Sequence, residues 1–271
     1  MLNLCDTSHW QSSVDCQALH DAGVVGLINK ASQGLTYEDD TYWMRRQQAV
    51  SAGLLFGGYH FLNPGSGAAQ ADYYLSCAKP DGVTLLCLDY ESGTVFDAEQ
   101  FVSRLHDVTG TYPLLYTRAS LIVQQIQNKP TLLSQCPLWI ASYVNKPVLP
   151  PQWSTWALWQ HSDGVYGPEP HSATGVGIGD MDWFDGTLDQ LKALWQSLSP
   201  TTPPAPKADI RSVTADLLNI RSGPGTTYAR LGMLSRGTKI RVASSAGGWA
   251  SYIMPQGAVG WLAVQYLTPV G

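Results

Sequence analysis

The run Leu85-Leu86-Cys87-Leu88-Asp89-Tyr90-Glu91 is apolar until it ends in two carboxylic acids one residue apart. Side chains of an extended strand alternate between faces, so Asp89 and Glu91 are expected to point one way and Tyr90 the other. Two carboxyls held on one face titrate apart, one keeping a proton while its neighbour ionises. Glycosidic cleavage needs that division of labour: an acid protonates the leaving oxygen while a carboxylate stabilises positive charge at the anomeric carbon. A D-x-E alone also occurs in loops and metal sites, so its meaning depends on the elements that position it.

Those elements alternate. Strand-like apolar runs cover residues 2–8, 25–32, 54–62, 84–91, 112–117, 137–143, 157–162 and 177–184. Helix-capable segments lie near 11–22, 40–52, 66–78, 95–109 and 118–128, with a terminal one near 186–197, whereas the two gaps after the sixth strand are rich in Pro and Gly. The alternation predicts a parallel sheet, and eight such strands can close into an irregular, TIM-like β/α barrel with five regular helices. Each run carries functional side chains towards its end: Asp6, Lys30, Tyr59 with His60, Asp89 with Glu91, Tyr116, Tyr143, Gln160, and Asp180 with Asp182. In such a barrel the carboxyl ends of the strands form the face that hosts chemistry. The expectation is an acidic, aromatic-walled cleft in which repulsion raises the pKa of at least one member.

Composition narrows the function. With 271 residues, 44% hydrophobic and 14% charged, the chain can bury a core, which excludes disorder. No stretch of 18 apolar residues occurs, and Met1-Leu2-Asn3-Leu4-Cys5-Asp6 has neither a basic nor an apolar leader region, so neither membrane insertion nor a signal peptide is expected. A net charge of −5 argues against nucleic acid as a partner. The 28 aromatic residues, ten of them Trp, favour flat, weakly polar ligands such as sugars. Five cysteines without a C-x-x-C pair and six histidines without ligand spacing give no metal site, and no cofactor is expected. Whether the cysteines are buried thiols or include a bridge stays open.

Residues 197–208, with four prolines among the first eleven, read as a linker. Residues 1–196 carry nine Lys and Arg against nineteen Asp and Glu, a balance of −10; the remainder carries seven against two, hence +5. From 209 to 271, short β-like runs punctuated by glycines predict a small all-β barrel. Leu218-Asn219-Ile220-Arg221-Ser222-Gly223-Pro224-Gly225, Gly237-Thr238-Lys239, Gly248-Trp249 and Gly260-Trp261-Leu262 resemble the bacterial SH3 (SH3b) family. The resemblance implies a cell-wall-targeting module, whose positive balance suits an anionic wall surface.

Residues 1–196 resemble glycoside hydrolase family 25, the muramidase-type lysozymes of bacteria and their phages. The matching pieces are Asp6-Thr7-Ser8-His9-Trp10-Gln11, Lys30-Ala31-Ser32-Gln33-Gly34, Gly58-Tyr59-His60-Phe61, Leu88-Asp89-Tyr90-Glu91, Pro137 through Tyr143, Trp159-Gln160 and Asp180 through Gly186. The resemblance implies hydrolysis of the β-1,4 bond between N-acetylmuramic acid and N-acetylglucosamine in bacterial peptidoglycan, with retained configuration. It assigns Glu91 as acid/base, Asp89 as the carboxylate assisting at the anomeric centre, and Asp6 and Asp180 as flanking acids. Lys30, Tyr59, His60, Tyr116, Trp139, Tyr143, Gln160 and Asp182 would contact the sugar. Two positions depart from the family's usual pattern, Gln33 in place of Glu and Asp182 in place of Asn, and Asp182 could take part of the role given to Asp180. A monomeric phage endolysin, held in the host cytoplasm until released to the wall, or a secreted enzyme, fits these features. A D-x-x-D-x-D-x-E chitinase would need carboxylates where Thr84 and Cys87 stand. A non-catalytic wall-binding protein is the other alternative.

Overall fold

The computed structural model describes residues 1–200, 209–254 and 258–270. They fall into two compact units, Met1–Thr202 and Pro203–Gly271. The first runs β1 (Leu2–Thr7), α1 (Cys16–Asp21), β2 (Val24–Gln33), β3 (Tyr37–Glu38), α2 (Tyr42–Ser51), β4 (Leu55–Phe61), α3 (Gly67–Ala78), β5 (Thr84–Asp89) and α4 (Val95–Thr109). It continues through β6 (Leu114–Thr117), α5 (Ala119–Ile126), β7 (Leu138–Ala141), β8 (Leu158–Ser162), β9 (Ser172–Ala173), β10 (Gly177–Ile178), β11 (Met181–Phe184) and α6 (Leu188–Ser197).

Eight strands close a barrel in the order β1, β2, β4, β5, β6, β7, β8, β11, with β11 pairing back onto β1. Neighbours from β1 to β8 are parallel. β11 is antiparallel to both β8 and β1, which corrects the expectation of an all-parallel sheet. Between β8 and β11 the chain forms only the short β9–β10 hairpin, and without a crossover element it returns in the opposite direction. The start of β11 therefore lies at the mouth formed by the ends of the other strands.

Alternation along the strands sorts the side chains. Leu4, Ile28, Leu85, Leu114, Trp139 and Leu158 point inward and pack as one apolar layer. Leu191, Trp195 and Leu198 join this layer from the α6 end of the chain. The Trp195 indole donates to Phe56 O at 2.7 Å, and Gly57 leaves room for it, since a Cβ there would lie 3.3 Å from the ring. Leu86 N donates to Leu198 O at 3.0 Å and Gly82 N to Pro200 O at 3.1 Å, so the barrel is closed at the end where β5 begins. Residues 197–200, expected to start the linker, thus pack against the barrel with Leu198 and Ser199 buried; residues 201–208 lie outside the described residues.

The outward face of the strands, including Leu27, Phe56, Leu86 and Leu115, forms a second core with Leu19, Tyr74, Phe101 and Ile122 of the helices. α3 and α4 approach so closely that a Cβ on Gly67 would meet Asp97 O at 1.7 Å. Helix starts are fixed by side-chain caps, with reciprocal capping boxes at Thr94–Asp97 and Thr187–Gln190. All five cysteines are free and buried, as core thiols.

The second unit contains β12 (Ile210–Val213), β13 (Leu217–Arg221), β14 (Arg230–Ser235), β15 (Lys239–Arg241), β16 (Ser244–Ala246), β17 (Trp249–Ile253), β18 (Val259–Ala263) and β19 (Leu267–Pro269). They form sheets ordered β15-β12-β19 and β14-β13-β18-β17-β16 around a core that includes Val213, Leu218, Ile220, Ile240, Tyr252 and Leu262. Arg221 donates to Tyr228 O at 2.8 Å, bracing the turn after β13.

Candidate active site

Beyond the apolar layer the inward side chains become polar and, together with Trp139 of the layer itself, surround a cavity of about 430 Å³. Asp6, Lys30, Tyr59, Asp89 and Tyr116 line it from β1, β2, β4, β5 and β6, and Trp139 and Gln160 from β7 and β8. Glu91, Tyr143 and Asp180 reach it from just outside the strands. β5 ends at Asp89, so Glu91 lies beyond the expected strand. Alternation nevertheless persists: Tyr90 turns into the helix-side core while Asp89 and Glu91 face the cavity. Asp180 precedes β11 and meets the other acids because that strand runs antiparallel.

Two expected contact residues do not line the cavity. His60 is fully buried on the helix side, between Ser32 Oγ at 2.9 Å and Gln70 Oε1 at 3.3 Å, with its ring stacked on Phe101. It follows Tyr59 on β4, so alternation turns it away from the cavity. Burial pushes its pKa down to about 3, leaving it neutral. Asp182 points inward but is fully buried, with Oδ1 accepting from the Trp139 indole at 2.7 Å. It sits inside the wall, and Asp180, not Asp182, lines the cavity.

The floor is held by a hydrogen-bond framework. Tyr116 and Tyr143 donate to Gln160 Oε1 at 2.8 and 2.7 Å, and Gln160 Nε2 donates to Asp6 Oδ2 at 2.7 Å. Lys30 Nζ donates to Gln33 Oε1 at 3.0 Å and lies 4.9 Å from the Phe61 ring centre. The uncharged Gln33 thus acts as a hydrogen-bond partner of the cleft lysine.

The carboxyls all bind protons more tightly than in water. Burial raises Asp6, with the charges of Asp180 and Asp182 adding to it. Burial and then Glu91 raise Asp89, with Lys30 opposing; Asp89 Oδ1 meets no donor among the described residues. Burial also raises Glu91 against the pull of Arg118 and Lys30, and takes Asp180 up to about 6. Asp89 and Glu91 therefore titrate as a pair, with Asp89 the deeper group. Among the described residues no cluster of three His, Cys, Asp or Glu side chains could hold a metal ion.

Sequence reasoning missed Ser8, Trp10, Gln11 and Phe61, which also line the cavity. The first three follow β1 in a loop anchored by the buried Arg45. Its guanidinium donates to Ser8 O at 2.7 Å, to Asn29 Oδ1 at 3.0 Å and to Gln11 O. Trp10 is 80% exposed. It stands beside His9, with ring centres 4.8 Å apart, and His9 is tied to Asp39 through its backbone and ring nitrogens, both at 3.0 Å. The run Asp6 through Gln11 held the signal, but nothing in residue type told an exposed Trp from a core one.

Residues 5–169 match Glycosyl hydrolases family 25, and residues 216–268 match Bacterial SH3 domain. An N,O-diacetylmuramidase of Chalaropsis sp is 33% identical over 214 residues, covering 70% of this chain and 96% of that protein. Lysozyme M1 of Streptomyces globisporus is 32% identical, over 70% of this chain and 69% of its own. The crystal structure of the bacterial lysozyme from Streptomyces coelicolor superposes with a TM-score of 0.64 at 29% identity, covering 72% of this chain and 97% of that one.

Proposed function

This chain belongs to glycosyl hydrolase family 25, and on that premise we propose how its cleft cleaves the β-1,4 bond between N-acetylmuramic acid and N-acetylglucosamine. The protein is a peptidoglycan hydrolase of the muramidase class with a C-terminal bacterial SH3 domain. The reading rests above all on the convergence of Asp6, Asp89, Glu91 and Asp180 in one aromatic-walled cavity. Glu91, the less buried of the central pair, stands where a glycosidic oxygen can reach it, and burial keeps it protonated far enough upward in pH to act as the acid. Asp89 lies deeper, beneath the position of the sugar ring. Asp89 acts in its ionised form, which Lys30 favours; any proton it binds in the free cleft passes to water before the reaction, and the carboxylate then stabilises the positive charge developing at the anomeric carbon or steers the substrate's acetamido oxygen. Configuration is retained, and Glu91 returns as base to activate water. Asp6 and Asp180 flank the pair in the same cavity. Tyr59, Tyr116 and Tyr143 wall the sugar groove, and Lys30 balances Asp89 and Glu91.

Mass analysis of peptidoglycan digested by the full chain tests this reading. Fragments with reducing muramic acid ends, absent with Glu91→Gln, are expected; reducing glucosamine ends, or no fragments from the wild type, would overturn it. The second unit, with its balance of +5, is drawn to an anionic wall surface and raises the local enzyme concentration there. Ending the chain at Thr202 should lower lysis of intact walls by about tenfold or more and leave cleavage of soluble fragments unchanged. No described helix is long and apolar enough to cross a membrane.

A further inference from the structure

A line of hydrogen bonds crosses the barrel beneath the cleft, and donor chemistry assigns every proton in it but one. Tyr116 and Tyr143 both donate to Gln160 Oε1, which commits Gln160 Nε2 to donate to Asp6 Oδ2. From the other side the Trp139 indole, which can only donate, reaches Asp182 Oδ1 at 2.7 Å. Asp182 stands opposite Gln160 on the β8–β11 ladder and opposite Leu4 on the β1–β11 ladder, and Asp6 is the next inward residue of β1 after Leu4. Asp182 is 0% exposed, and its Oδ2 meets no N–H or hydroxyl donor among the described residues. The Asp6 carboxyl is its neighbour across the β1–β11 ladder and acts on it directly. Two ionised carboxylates only accept. A proton on one of them gives the buried Asp182 oxygen the partner it otherwise lacks among the described residues.

No described cation balances the pair. The groups acting on it or facing it are Asp180 ahead of β11, Asp89 and Cys87 on β5, Cys5 on β1, Tyr59 on β4, Tyr116 on β6 and Tyr143 after β7. Lys30 acts instead on Asp89 and Glu91. Burial takes Asp182 up to about 8 and raises Asp6 as well.

We propose that Asp6 and Asp182 are one proton-sharing unit, in which Asp182 is a positioning residue that holds Asp6 in the cleft wall through a proton kept between the two carboxyls. The pair then carries one negative charge instead of two, which limits repulsion on Asp89 and fixes the Asp6 oxygen that Gln160 binds. Loss of the proton leaves two buried carboxylates side by side, and Asp6 is pushed from its place. The kinetic consequence rests on the muramidase reading, whereas the shared proton does not.

The test is carboxyl titration by NMR in the full chain labelled at its aspartate carboxyl carbons, alongside turnover of soluble peptidoglycan fragments by wild type, Asp182→Asn and Asp182→Ala. In the wild type the pair is expected to hold one proton at neutrality and release it at alkaline pH. In Asp182→Asn the amide donates to Asp6 in place of the proton, so Asp6 is ionised at neutrality while turnover stays close to wild type. Asp182→Ala removes the donor and is expected to lower kcat by about tenfold or more. A wild-type pair without a bound proton at neutrality, or Asp182→Asn as impaired as a folded Asp182→Ala, would overturn the proposal. A bound proton in a wild type that cleaves no peptidoglycan would sink the muramidase reading and leave the pair standing.

Discussion

The two ends of the barrel are built by the same strands in the same alternation, yet they do opposite things. At the closed end Leu4, Ile28, Leu85 and Leu158 meet Trp195 in an apolar layer. One inward step further, Asp6, Lys30 and Gln160 replace Leu4, Ile28 and Leu158, and Asp89 stands two inward steps beyond Leu85, all around a cavity. The first end gains free energy from burial. The second carries carboxyls whose charged forms are disfavoured and a buried Asp89 oxygen with no donor among the described residues. Stability and chemistry are thus separated by about 6–7 Å along β1, β2 and β8 and about twice that along β5, and substitutions at the two ends should affect activity and stability separately.

The largest expected effect is on rate. Glu91→Gln should lower turnover of peptidoglycan by about 10³-fold, the scale of a lost general acid, while leaving the melting temperature unchanged or higher, because it removes a charge the fold disfavours. A folded Glu91→Gln that still clears walls, or one that melts well below wild type, would contradict the division between the ends. At the closed end Trp195→Ala should cost about 3–5 kcal/mol of stability, as for other large-to-small core changes, read by denaturant unfolding. The surviving folded enzyme should keep its kcat. A fall in kcat without a fall in stability would mean that the apolar layer also tunes the mouth.

A smaller effect distinguishes the ends by pH. Raised carboxyl pKa values mean that the folded state binds more protons than the unfolded chain, so stability falls as pH rises through the window between the two values. For Asp180 that window runs from the ordinary carboxylate range to about 6, and for Asp182 to about 8. Thermal stability of the wild type should therefore be highest in mild acid and decline towards pH about 8, each group contributing a slope of up to about 1.4 kcal/mol per pH unit within its window. Asp180→Asn should flatten the lower part of that decline. Melting curves across this range decide it, and a wild type most stable above neutrality would refute the sign.

Much of this division was legible in the sequence. Period-two alternation was enough to place Asp89 with Glu91 and to set Tyr90 apart, even though β5 stops before Glu91. The same rule, applied to β4, would have removed His60 from the site, because it cannot share a face with Tyr59. Asp182 was harder: its alternation is right, but depth within the wall depends on the neighbouring Trp139 and Asp6, which only closure of the barrel brings together. Strand direction was equally hidden. A Pro- and Gly-rich gap announces the lack of a crossover helix, and the antiparallel return of β11 follows from that lack only once the sheet is closed. The packing of residues 197–200 beneath the barrel ran against their proline-rich context because Leu198 completes the apolar layer.

The smallest expected effect tests how far the mouth extends. Trp10 belongs to neither end's core: 80% exposed and lining the cavity, it presents a ring face that packing does not use. Its backbone is fixed all the same, since Arg45 grips the carbonyls of Ser8 and Gln11 on either side, and Asp39 holds His9. An aromatic ring on a fixed backbone at a cleft rim can bind a sugar face with loss of freedom in only two side-chain torsions. Trp10→Ala should therefore leave stability and kcat near wild type and raise KM for long glycan strands by roughly fivefold, about 1 kcal/mol. A disaccharide-length substrate confined to the central pair should show no change. An equal rise in KM for short and long substrates would place Trp10 within the catalytic subsites, and a loss of stability comparable with that of Trp195→Ala would assign it to the fold.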